Sequence, residues 1–277
     1  GRVGSEMCIR DRCKVNRLSI GLQSANDGER RILGRRAGKS EVQSVVSRAK
    51  KAGINNISLD VMLGVPGQTK ESLKSTLDFC ISSGVPHLSC YILKIEENTP
   101  FFRMRDKLPF PSDDDTADMY LFMCEYLEEH GIMQYEISNF AVPGFESRHN
   151  LKYWHDEEYL GIGASAHSFL GGKRTYYPRD IEYFISGNER LTEGDGGDEE
   201  EFCMLALRLR EGLTQERFYA RFHHGIPQKM LESAKQYEKY GLCRCESGGI
   251  SLTRRGFLLS NSVIVSYTHL TLPTICS

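Results

Sequence analysis

The 277-residue sequence lacks three features, each of which would set its class by itself. It has no long apolar run: Val61–Val65 and Gly161–Leu170, its longest mostly apolar stretches, fall well short of the roughly 20 residues that cross a bilayer. It has no excess of charge of one sign, with 35 Lys+Arg against 37 Asp+Glu, which argues against a protein whose main task is gripping nucleic-acid phosphates. Its nine cysteines (Cys8, Cys13, Cys80, Cys90, Cys124, Cys203, Cys243, Cys245 and Cys276) form no Cys-x-x-Cys and no zinc-finger spacing, so a reduced, cytosolic chain is the simplest reading. There is also no internal repeat of solenoid period. The rest is ordinary: 40% hydrophobic and 26% charged residues suffice for a sizeable core and exclude disorder. The length suits one large domain, or a barrel-sized domain and a small one.

Both ends are expected to stand outside the fold. Residues 1–12 show neither helical nor strand period and lead abruptly into a strong strand, while residues 265–277 follow a helix without capping it. Both tails resemble translated sequencing-adapter read-through. On this reading residues 13–264 are the natural part, and the true protein continues beyond at least one end.

Within 13–264 the pattern predicts strand, helix, strand, helix, strand. Arg17–Gln23 alternates apolar and polar residues as a strand does. Ser40 and Gln43 read as a capping box for a helix with Val42, Val45, Val46 and Ala49 on one face, ended by Gly53. Asn56–Leu63 is the next strand, broken by Gly64-Val-Pro-Gly67; a helix runs from about Thr69 to Ser83, and His87–Leu93 is the third strand. Such a rhythm marks parallel βαβ units. Beyond a loop rich in Pro and Phe, a helix capped by Ser112 precedes a strand over Ile132–Ile137 and an irregular stretch, Ser138–Trp154. The acidic, glycine-rich run Glu193–Glu201 reads as a linker, and 202–264 as three helices, a hairpin at Gly248-Gly249 and a helix opened by Thr253, which is a winged-helix pattern. The domains expected are therefore 13–192, a linker at 193–201, and 202–264.

In parallel α/β folds ligands sit at the carboxyl ends of strands. Gln23 ends the first strand, Asp60 lies late in the second, Lys94 follows the third, and Arg35 follows the short helix that leaves Gln23. An amide, a carboxylate able to accept from two ribose hydroxyls, and a guanidinium able to hold a carboxylate suit a zwitterionic, ribose-bearing ligand. A buried strand Asp is as often a structural acceptor, so spacing leaves both roles open.

Six ordered motifs decide more: Asn16–Ser24, Leu59–Thr69, His87–Leu93, Tyr135–Phe140, His149–Trp154 and Leu160–Ser168. In order and spacing they resemble the radical S-adenosylmethionine family of oxygen-independent coproporphyrinogen III oxidases, and most closely its HemW-type heme chaperone branch. The resemblance implies an α/β fold: the C-terminal half of a partial (β/α)6 radical SAM barrel, with Arg17–Leu93 as strands four to six, followed by a small winged-helix-like α+β domain. It implies S-adenosylmethionine as a cofactor, with Gln23 and Arg35 at the methionine end, Asp60 on the ribose, and Lys94 and His167 beside the nucleoside. These relatives hold a [4Fe–4S] cluster through Cys-x-x-x-Cys-x-x-Cys. The sequence has no such motif, so the cluster is expected only in a full-length protein and no metal ligand is assigned here.

His149 beside Asn150, followed by Tyr153 and Trp154, offers an imidazole for iron and aromatic faces for a porphyrin; the bland alternative is a loop pinned by hydrogen bonds. Cys80, Cys124 and Cys203 fall at apolar helical positions and read as core. The expected function is heme binding and delivery, with heme-accepting respiratory proteins as recipients, in the cytoplasm or peripherally at the inner face of the membrane. The alternatives are oxidative decarboxylation of coproporphyrinogen and, in another class, nucleic-acid binding by 202–264, whose ten Lys+Arg against five Glu are spread over several elements.

Overall fold

The computed structural model describes residues 15–261 and 263–264; the tails at 1–12 and 265–277, and Cys13, lie outside the described residues. The described residues divide into two compact units, one up to residue 146 and the other from residue 147.

The first unit is built on parallel strands β1 (Arg17–Gln23), β2 (Asn56–Leu63) and β3 (His87–Ile92). Helices α1 (Asp27–Ile32) and α2 (Lys39–Lys51) join β1 to β2, and α3 (Lys70–Ser82) joins β2 to β3. Helices α4 (Pro100–Met104) and α5 (Asp113–Glu129) then lead to β4 (Met133–Gln134) and β5 (Asn139–Ala141), which extend the sheet antiparallel in the order β1-β2-β3-β5-β4. The sheet is open, and β1–β3 with their helices are the βα units expected.

Period-two alternation makes the faces of this sheet unlike. Ile57, Leu59, Val61 and Leu63 of β2 and Leu88 of β3 are fully buried, and the inward sides of α2 (Val42, Val46), α3 (Leu73, Leu77) and α5 (Met123, Leu127) are buried with them. Each such side chain stabilises the unit by about 2 kcal/mol. The opposite face carries Ser19, Ser58, Asp60, His87 and Ser89. A parallel sheet covered on both faces would be apolar on both, so this polar face is available to something other than core.

Local chemistry sets the boundaries. Thr69 Oγ1 accepts from Ser72 N (3.2 Å) and Ser112 Oγ from Asp115 N (3.0 Å), capping α3 and α5. The box expected at Ser40 and Gln43 instead lies at Gly38 and Glu41: Gly38 N donates to Glu41 Oε2 at 3.0 Å, and Ser40 is already helical. A carboxylate at the positive end of a helix outcompetes an amide there, and Gln43 accepts from Ser83 Oγ (2.8 Å). Gly53, at φ +82°, ends α2. The strand expected over Ile132–Ile137 shortens to Met133–Gln134 because buried Glu136 accepts from Ser138 N (3.2 Å) and from the Asn139 side chain, turning the chain back into β5.

In the second unit the end of the stretch read as irregular is a helix, α6 (Arg148–Trp154), capped by Ser147 Oγ accepting from Asn150 N at 3.4 Å. Strands β6 (His167–Leu170), β7 (Lys173–Tyr176) and β8 (Leu191–Asp195) form an antiparallel sheet, with α7 (Ile181–Ile185) between β7 and β8. Of the acidic run, Glu193–Asp195 belongs to β8, and Asp198 Oδ1 accepts from Glu201 N (2.8 Å) to open α8 (Glu199–Ala206). Helix α8 stops at Ala206. Helices α9 (Gln215–Phe222) and α10 (Gln228–Lys239), the hairpin β9 (Cys243–Arg244) and β10 (Ser251–Leu252), and α11 (Arg254–Leu258) complete the expected order. Their core holds Phe202, Phe218, Ala234, Leu252 and Phe257. At Gly212, φ +73°, a Cβ would lie 2.2 Å from Ile250 O, so only glycine fits. Among the described residues no helix is long and apolar enough to cross a membrane.

Candidate functional site

On the polar face of the first unit, Gln23 closes β1 at a register shift with φ +69°, and its Nε2 would stand 3.0 Å from any Cβ at Gly21. Gly21 is the register partner of Asp60, so the Gln23 amide and the Asp60 carboxylate share one part of the face. Ser19 Oγ donates to Asp60 Oδ1 at 2.9 Å, leaving the other carboxylate oxygen for a ligand. Deeper on this face, His87 is bonded on both ring nitrogens, to Ser58 Oγ (2.7 Å) and Tyr135 OH (2.9 Å), and Ser58 reaches Ser89 Oγ at 3.2 Å. Burial, aided by the nearby Arg17 charge, lowers the His87 imidazole to about 3, so it is neutral and serves as a fixed hydrogen-bonding group.

The Gly64–Gly67 turn after β2 is held from beneath. Buried Gln68 accepts from Gly64 N (2.8 Å) and donates to Met62 O (3.0 Å) and to Glu29 Oε2 (3.2 Å), and Glu29 itself is buried. This brace fixes the end of the strand that carries Asp60. Of the other two expected residues, Lys94 is exposed and paired with Glu96 at 3.0 Å, and Arg35 is exposed beyond α1. His167 belongs to the second unit, where its Nδ1 faces Glu193 Oε2 at 3.2 Å.

An iron–sulfur cluster needs several convergent thiolates. Cys80, Cys90, Cys124, Cys203 and Cys243 are buried, and burial raises the thiols of Cys80 and Cys90 and pushes Cys203 up to about 12, which disfavours the thiolate form. Among the described residues no group of three His, Cys, Asp or Glu is placed to hold a metal ion. The described residues therefore do not fit the cluster.

In the second unit, the i,i+4 spacing on α6 puts His149 and Tyr153 on one side. Tyr153 OH and His149 Nε2 are 2.9 Å apart, the rings meet edge to face at 4.9 Å, and Tyr153 packs in the same way on Tyr159 at 4.5 Å. Partial burial and Tyr159 raise the Tyr153 phenol, keeping it neutral. His149 is exposed, and Nδ1 has no partner among the described residues. Trp154 is half-buried under the Arg208 guanidinium, 5.5 Å from its ring. Past the helix, Asp156 takes a left-handed φ of +53° and is buried between Arg174 and Arg221, each 3.4 Å away. Arg174 also pairs with Glu201 at 2.6 Å. Sequence reasoning missed this junction and the His87 network. The polar residues at every second place of Asn56–Leu63 and His87–Ile92 were the available signal for the latter.

The chain is similar to known proteins in sequence and in fold. Residues 9–80 match the Radical SAM superfamily and residues 199–259 the HemN C-terminal domain. The heme chaperone HemW of Bacillus subtilis is 35% identical over 265 residues, covering 91% of this chain and 69% of that protein. That of Lactococcus lactis is 34% identical over 262 residues, with the same coverage. The structure of coproporphyrinogen III oxidase (HemN) from Escherichia coli, a radical SAM enzyme, superposes with a TM-score of 0.75 at 20% identity, over 95% of this chain and 67% of that one, which shows a common fold. Sequence likeness at that level and coverage establishes kinship, and the chain belongs to the HemW heme chaperone family of the radical SAM superfamily.

Proposed function

We propose that this protein binds heme through His149 and hands it on to heme-accepting proteins, respiratory ones among them. The observation that carries the reading is an exposed imidazole, oriented by one partner and open on its other nitrogen, on a helix beside Tyr153, which packs in turn on Tyr159. With Nε2 protonated, His149 donates to the Tyr153 oxygen and Nδ1 keeps a lone pair for iron, the arrangement that orients metal-ligating histidines. Tyr153 and Trp154 would offer ring faces to the porphyrin. A station on the surface releases its cargo more readily than a closed pocket, which suits delivery. Three of the basic residues of 202–264 are engaged within the unit, Arg217 paired with Glu211, Arg208 over Trp154 and Arg210 donating to Leu252 O, which favours the heme reading over nucleic-acid binding.

The same reading gives S-adenosylmethionine to the first unit: Asp60 accepts from the ribose, Gln23 and Arg35 hold the methionine end, and Lys94 lies beside the nucleoside. Bound there, the cofactor supplies a reactive sulfonium centre. The resemblance alone sets His167 beside the nucleoside; its own surroundings suit iron better. The test of delivery is to mix the heme-loaded protein with an apo heme protein and follow the acceptor's absorption. Transfer faster than from free heme supports the proposal, and transfer no faster rejects it.

A further inference from the structure

Gly161 and His167 face each other so closely that a Cβ at Gly161 would lie 2.1 Å from His167 O. This approach folds the Leu160–Ser168 motif tightly and presents the His167 side chain at the start of β6. There it lines a cleft of about 500 Å3 together with Ser165, Tyr176, Tyr177, Arg179 and Glu193. Three features of the cleft belong to one chemistry. Glu193 accepts from His167 Nδ1 at 3.2 Å, which leaves the Nε2 lone pair free, as carboxylates do for metal-bound histidines. Tyr176 stacks on the imidazole at 5.4 Å with a 20° tilt and fixes its plane, while Tyr177 is held by Phe184 and by Arg190 over its ring. Arg179 is exposed and has no ion pair among the described residues.

A poised imidazole, flat aromatic walls and an unpaired guanidinium together fit a metallated aromatic ring that bears carboxylates. We propose that this cleft is a second station for iron tetrapyrrole, with His167 as the iron ligand and Arg179 paired to a propionate. The inference rests on the heme reading above. His149 and His167 hang on one framework, because Tyr153 packs on Tyr159, whose backbone pairs with Phe169 of β6. Heme passed between the two would stay within the second unit.

The experiment is titration of the full chain with ferric heme, read at the Soret band, in the parent, His149→Ala, His167→Ala and the double variant, with circular dichroism as the check on folding. The expected result is two equivalents in the parent, one in each single variant and none in the double. One equivalent in the parent and none in His149→Ala overturns the second station and leaves the first. Loss of all binding in His167→Ala with His149→Ala unchanged upholds the cleft and overturns the first. Undiminished binding in the double variant overturns both. In the His149→Ala background, Arg179→Ala should weaken heme about tenfold, the loss of one charge-assisted hydrogen bond, and leave heme dimethyl ester unaffected. Equal losses for acid and ester would remove Arg179 from the site.

Discussion

Replacing Asp156 with asparagine isolates the charge that ties the end of α6 to β7 and α9. The carboxylate side chain is 1% exposed, with Arg174 and Arg221 each at 3.4 Å. Burial raises its acid from 3.8 to about 6, with Glu201 adding to the rise and the two arginines opposing it. A carboxyl group whose folded value lies above its unfolded one takes up a proton on folding. Its stabilisation is therefore complete below about 3.8, is lost as pH rises towards 6, and is flat above that. A rise of roughly two units, at about 1.4 kcal/mol each, corresponds to about 3 kcal/mol. Asparagine keeps the shape and removes the titration, and Arg174 retains Glu201 at 2.6 Å. Urea unfolding of both proteins at pH 4, 5, 6 and 7, followed by circular dichroism, should show the difference moving in favour of Asp156→Asn by about 2 kcal/mol across that range. A difference independent of pH, or a parent that gains on the variant as pH rises, would refute the reasoning and show that the arginines dominate.

Three other outcomes follow from single residues. Asp60→Ala should weaken S-adenosylmethionine binding by about 1–3 kcal/mol, the worth of a charged hydrogen bond, and equal calorimetric affinity in variant and parent would reject Asp60 as a ligand. Because the folded His87 imidazole lies near 3 against about 6.5 unfolded, its stabilisation is complete above about 6.5 and fades as pH falls towards 3; His87→Gln should flatten the acid limb of stability, and an equally steep limb in the variant would contradict this. Gly212→Ala meets Ile250 O at 2.2 Å and should abolish cooperative unfolding of the second unit, whereas Gly171→Ala, also at positive φ but with nothing within 4 Å, should cost only about 1 kcal/mol; similar melts for the two would sink the close-packing argument.

Much of the fold was legible because alternation and turn chemistry agree. The bounds of β1 and β2 match their alternating stretches, and Thr69, Ser112 and Thr253 cap the helices they announce. Gln23 and Asp60 stood out because strand ends in parallel sheets are where ligands meet polar side chains. Helix α6 was not legible, since none of its residues is buried and no apolar stripe marks it. Its spacing of His149 and Tyr153 gains meaning only once the helix is seen. The capping box at Gly38 was missed because glycine contributes only its backbone N–H and the carboxylate does the rest. The turn at Glu136 and the Asp156 junction depend on contacts that no local pattern encodes; Arg174 and Arg221 lie 18 and 65 residues from Asp156.

The central claim, heme held by His149 on α6, is tested most directly by resonance Raman and Soret spectra of the ferric heme complex of His149→Ala beside the parent. Loss of one iron–histidine signature with a shifted Soret band is the predicted result. Identical spectra at identical heme loading would remove His149 as a ligand and contradict the account.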